Sequence, residues 1–120
     1  MEHALAEGFR DLIVWQRAIQ LSVALYGLTA LFPKEEIYGL TSQLRRAGVS
    51  VASNLAEGWG RQSDGEYKQF LGMARGSNLE VQTQLVIAHQ LTFGDQSKLQ
   101  TAEGLSMEVH RMLVALMKSI

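Results

Sequence analysis

The chain has 120 residues, 47% of them apolar or aromatic and 19% charged, so it fits one core and is poorer in charge than a typical wetted domain, about 25%. Eleven Lys and Arg against 12 Asp and Glu give a net charge of −1, which excludes attachment to nucleic acid by bulk charge and leaves only a local patch for that role. The absence of Cys rules out disulfide scaffolds, thiolate zinc sites and cysteine nucleophiles, and suits a reducing, cytoplasmic setting.

Met1–Glu7 holds two Glu and no Lys or Arg, unlike the basic start of a secretory signal. Residues 1–8 are read as a tail and residues 9–120 as one domain. A first helix is predicted over 11–31. Its most apolar stretch, Ala18 to Phe32, is broken by Gln20, Ser22 and Thr29 and is shorter than the roughly 20 residues of a membrane span. Pro33 with Lys34-Glu35-Glu36 closes that helix and opens a second over 35–59, with acidic residues in its first turn. Gly58 to Ser63 interrupts the pattern, and Ser63-Asp64-Gly65-Glu66 has the form of a capping box. It starts a third helix over 64–92. Phe93-Gly94-Asp95 supplies a C-cap glycine and an N-cap for a fourth over 96–119. No segment alternates like a strand. Short connections make neighbouring helices antiparallel, so the predicted fold is all-α, an up-down-up-down four-helix bundle.

Helix 1 carries two apolar stripes. Leu12, Trp15, Ile19, Val23 and Tyr26 form one; Val14, Leu21, Leu25 and Leu28 form a second on the opposite side. On helix 2, Leu40, Leu44, Ala47, Val51 and Leu55 face one way, while Val49, Ala52 and Ala56 extend the apolar surface round the back. A bundle helix needs one stripe. The excess predicts self-association, with Val14, Leu21, Leu25, Leu28, Val49, Ala52 and Ala56 as the oligomer interface. Helix 4 has a single stripe of Ala102, Leu105, Val109, Met112, Leu113 and Leu116.

Helix 2 also carries a polar seam of Gln43, Arg46, Ser50, Asn54, Glu57 and Arg61. Folding helices 2 and 3 into a hairpin about Gln62 sets Arg46 opposite residues 77–80. Glu80 then becomes a partner for Arg46 or Arg45, and Glu66 for Arg61, because a charge held between helices must be paired. Arg46, Asn54, Glu57, Glu66 and Glu80 are read as a network fixing helix register rather than as an acid/base site. His3, His89 and His110 lack metal-ligand spacing, no nucleophile elbow occurs, and Gly58-Trp59-Gly60 follows a helix and lacks phosphate-loop spacing. No cofactor, metal, small-molecule substrate or enzymatic activity is expected. Gly72 and Gly76, one turn apart on helix 3, predict a close backbone approach there.

Five of the 11 basic residues (Arg45, Arg46, Arg61, Lys68 and Arg75) fall between 45 and 75, against three acidic ones. Lys68 and Arg75 share one face of helix 3, with Gln82 next in the row. These five are the candidate nucleic-acid contacts, weak in one chain and summed in an oligomer.

Several segments form an ordered set: Phe9-Arg10-Asp11-Leu12-Ile13-Val14-Trp15-Gln16, then Tyr38-Gly39-Leu40-Thr41-Ser42-Gln43-Leu44-Arg45-Arg46-Ala47 and Ser50-Val51-Ala52-Ser53-Asn54-Leu55-Ala56-Glu57-Gly58. Arg61 and Phe70-Leu71-Gly72-Met73-Ala74-Arg75-Gly76-Ser77-Asn78-Leu79-Glu80 complete it. Together they resemble the 23S rRNA intervening-sequence protein family, the S23-type four-helix bundle proteins. Val51-Ala52 replaces the Ile-Pro usual in the second helix. The resemblance implies a four-helix bundle assembling into a homopentameric ring, without established enzymatic activity. It also implies partners: RNA or DNA, or a protein such as the reverse transcriptase served by a related branch. The expected function is a cytoplasmic RNA-binding scaffold, with a protein-binding adaptor as the alternative.

Overall fold

A computed structural model describes residues 7–120; most of the 1–8 tail, and His3, lie outside the described residues. Four helices follow one another: α1 (Ile13–Thr29), α2 (Leu40–Trp59), α3 (Asp64–Gln90) and α4 (Gln96–Lys118), with short 3₁₀ turns at Phe9–Asp11 and Lys34–Glu36. No strand occurs among the described residues. The molecule measures 43 × 23 × 20 Å. Its long axis is set by the 27 residues of α3, about 40 Å at 1.5 Å each.

The termini show why each helix starts where it does. Half of the predicted capping box forms: the Glu66 amide donates to Ser63 Oγ at 3.1 Å, while the Glu66 carboxylate meets the Ser63 hydroxyl rather than its amide. At the next helix Asp95 Oδ2 accepts from the Lys98 amide at 3.0 Å. Helix α2 starts at Leu40 rather than 35. Residues 34–36 make a 3₁₀ turn instead, and from there Glu36 Oε1 accepts the Leu40 amide at 3.0 Å. The acidic residue thus caps α2 from outside it, satisfying one of the helix's free donors.

Packing joins α1 to α2, α2 to α3, α3 to α4, and α4 back to α1. The core has two halves. One gathers Val14 and Ala18 of α1, Val51 and Leu55 of α2, Leu71 and Ala74 of α3, and Val109 and Leu113 of α4. The other gathers Leu25 and Leu28, Leu40 and Leu44, Val81 and Leu85, and Leu99 and Ala102. Gly58 permits the α2–α3 contact: a methyl there would lie 2.8 Å from Phe70 Cβ and 3.1 Å from Tyr67 Cδ1. Its role is close approach more than turning the chain.

Two expectations are corrected. Val14, Leu21, Leu25 and Leu28 are fully buried inside the chain, and Ala52 is buried too, so they form core rather than an interface between chains. Their 4-3-4-3 spacing together with Ala18 is that of a bundle seam. The outward stripe of α1 is the other one, Ile19, Val23 and Tyr26; of the predicted α2 interface residues Val49 is exposed and Ala56 half-buried. Gly72 and Gly76 meet no close backbone among the described residues of the chain: a methyl on either would have nothing within 4 Å beyond its own helix.

Candidate functional site

The α2–α3 seam is built from amides and hydroxyls. Asn54 Nδ2 donates to the Ser50 carbonyl at 2.9 Å and to Ser50 Oγ at 3.0 Å. The Ser50 and Ser77 hydroxyls lie 2.9 Å apart, and two turns away Gln84 Nε2 donates to Gln43 Oε1 at 3.3 Å. Moving two turns toward the start of α2 therefore moves two turns toward the end of α3, and Arg46 lies close to its predicted register opposite 77–80. Its predicted ion pair with Glu80 does not form. Arg46 and Glu80 instead line a groove of about 300 Å³ with Gln43, Ser50, Ser77 and Gln84.

The remaining predicted network separates. Arg61 stacks over the Phe70 ring, with Cζ 4.5 Å from its centroid, and does not pair with Glu66, whose carboxylate sits 3.4 Å from Ser63 Oγ. Glu57 is exposed. No hydrogen bond or ion pair joins Asn54, Glu57 and Arg61 among the described residues. Sequence reasoning missed the fully buried Asn78–Ser106 pair, in which Asn78 Nδ2 donates to the Ser106 carbonyl at 2.9 Å and Ser106 Oγ donates to Asn78 Oδ1 at 2.8 Å. The signal was present, since Asn78 keeps helical phase with Leu71, Ala74, Val81 and Leu85.

The five candidate phosphate contacts occupy different places. Arg45 is half-buried between α1 and α2: Nε donates to Thr29 Oγ1 at 2.9 Å, and Cζ lies 4.7 Å from the Tyr26 ring centroid. That cation joins two helices. Arg46 lines the α2–α3 groove, and Arg61 is at the α2–α3 turn. Lys68 and Arg75 are exposed along α3, with no ion pair among the described residues. There, the ion pair formed is Arg17 Nε to Glu108 Oε1 at 2.6 Å, joining α1 to α4. A separate apolar groove of about 290 Å³ runs between α1 and α2, lined by Trp15, Ile19, Val49 and Ala56. Beyond it Val23 is 68% exposed and Tyr26 47%.

The sequence profile of the 23S rRNA-intervening sequence protein matches residues 10–115. The chain belongs to that family. A protein of unknown function from the S23 ribosomal protein family of Bacteroides thetaiotaomicron, known from its crystal structure, is similar with a TM-score of 0.79. The match covers 88% of this chain and 99% of that one at 17% identity, a likeness of fold. Comparison with curated proteins finds no match. Over residues 7–120 this intervening-sequence family member is all-α with four helices, matching its predicted pattern. Among the described residues no helix is long and apolar enough to cross a membrane, and no group of three or more His, Asp or Glu is placed to hold a metal ion.

Proposed function

We propose that the protein is a cytoplasmic, non-enzymatic scaffold: an up-down-up-down antiparallel bundle that assembles into a ring-like homopentamer and holds RNA through phosphate contacts repeated around the ring. The observation that carries this reading is the Lys68–Arg75 row, two exposed cations two turns apart on one helix, with no carboxylate paired to either among the described residues. One such row is weak. Repetition by symmetry makes later contacts intramolecular and sums their effect, so a net charge of −1 per chain is compatible with binding. Assembly is supported by the outward Ile19, Val23, Tyr26 and Val49, more apolar surface than a solvated bundle face carries.

The test is binding of a structured rRNA fragment to the purified assembly across roughly 50 to 200 mM salt. Log affinity is expected to fall linearly with log salt, with a slope of about 0.9 per phosphate contact on a duplex. Lys68→Ala/Arg75→Ala should reduce that slope; absence of binding at the low-salt end would overturn the reading. A second reading, a protein-binding adaptor such as a reverse-transcriptase accessory factor, is favoured by the exposed α1 stripe. It predicts a complex that persists at high salt and is weakened by Val23→Asp.

A further inference from the structure

We infer that the groove between α2 and α3 is a site for one unpaired guanine, held between Arg46 and Glu80. The inference deepens the RNA reading and rests on it for the delivery of the base. Arg46 and Glu80 line the same groove and form no ion pair with each other or with another described residue. An ion pair between two exposed side chains is weak in water, so little opposes holding the two charges apart with a ligand between them. Such a ligand must offer acceptors to a guanidinium on one side and donors to a carboxylate on the other.

Among the bases guanine does this with both charges engaged twice. Its O6 and N7 accept from an arginine fork, and its N1–H and N2–H donate to the two oxygens of a carboxylate. Adenine, cytosine and uracil each lack one of these paired edges. The donor edge is the Watson–Crick edge, closed in a duplex, so the base must come from a single-stranded segment, loop or bulge, where sequence-specific RNA recognition concentrates. The volume of about 300 Å³ is at the small end of ligand sites, suited to one base.

Gln84 supplies an independent signal. It lines the groove, is only 8% exposed, and its Oε1 has no hydrogen-bond partner among the described residues although its Nε2 is held by Gln43. A buried acceptor without a donor calls for an explanation, and the N2 amino group of guanine provides a donor of the right kind. The Ser50–Ser77 and Gln43–Gln84 pairs tie the two walls together, so the site is braced by both helices.

The experiment compares fluorescence anisotropy of the full-length assembly with labelled hexanucleotides at one salt concentration: all adenosine, one guanosine among adenosines, and one inosine in its place. The guanosine strand should bind about tenfold tighter than the adenosine strand, the weight of one good bidentate base contact. Inosine, lacking the N2 amine, should fall between them. Glu80→Gln should reduce the guanosine advantage below about twofold, whereas Glu35→Gln, an equal charge change outside the groove, should leave it intact. Equal affinity for the guanosine and adenosine strands would overturn the guanine site while leaving the RNA scaffold standing, as would an advantage that survives Glu80→Gln. Competition by guanosine monophosphate separates the sources: displacement by the mononucleotide as effective as by the strand supports a guanine site filled by free nucleotide, and displacement by the strand alone supports delivery on RNA. If no strand binds but the mononucleotide does so through Glu80, the scaffold reading fails and the guanine site stands. If neither binds, both fail.

Discussion

Thr92 has a φ of 57°, the left-handed region that a β-branched side chain avoids. Its position explains why it is there. The Phe93 amide donates to the Ala88 carbonyl at 2.9 Å and the Thr92 amide to the His89 carbonyl at 3.1 Å, the paired bonds of a Schellman ending. Thr92 therefore occupies the position where glycine is usual. Gly94, which the sequence pattern marks as the cap, lies two residues farther on with φ 79°, and a methyl there would sit 2.8 Å from Leu28 Cδ1 and 2.9 Å from Phe32 Cε1. Thr92→Gly should raise stability by about 1 kcal/mol, the left-handed cost partly offset by glycine's unfolded-state entropy. Gly94→Ala should lower stability, and urea unfolding monitored by circular dichroism measures both. A stabilising Gly94→Ala would mean that this turn is not packed against Phe32 as described. The misplacement has a simple origin: the eye finds the glycine, while the hydrogen bonds select the residue two places earlier.

At the scale of elements, the existence and order of the four helices were legible because Pro33, the Ser63 capping box and Asp95 are local signals. The direction each helix faces was less so. On α1 both stripes have helical spacing, and a single-helix projection contains nothing that says which one meets its neighbours; only packing against α2 and α4 sets Leu21 and Leu25 inward and Val23 and Tyr26 outward. The polar seam was legible in register but not in partners, since long Arg and Glu side chains can reach several neighbours. The short ones cannot, and two pairs of them bond across helices: Ser50 with Ser77, Asn78 with Ser106. The second pair pins α3 to α4 at one register. Asn78→Ala should cost about 1–3 kcal/mol, because Ser106 Oγ is left buried without its acceptor. Asn78→Leu/Ser106→Ala, which removes both side-chain partners, should recover much of that loss. Equilibrium denaturation of the two variants checks the sign, and a double variant no better than Asn78→Ala would show that the pair is not the unit of stabilisation.

At the scale of the molecule, the faces of α1 make the assembly proposal decidable, because the two stripes predict opposite consequences for the same substitution. An aspartate at Leu21, fully buried, puts an unpaired charge into the core and should unfold the chain. An aspartate at Val23, 68% exposed, should leave the helices intact. If the outward stripe is the assembly surface, Val23→Asp/Tyr26→Asp should sediment near the 13.3 kDa of one chain with an unchanged circular dichroism spectrum, while the parent protein sediments at several times that mass. RNA binding then provides the link between assembly and function. A separated chain keeps Lys68 and Arg75 but loses the repetition that makes their contacts intramolecular, so its affinity for the rRNA fragment should fall by about a hundredfold or more and its salt slope should shrink in proportion to the phosphates it still reaches. Full affinity in a chain proven monomeric would show that one copy of the row suffices and that the ring is not what holds RNA.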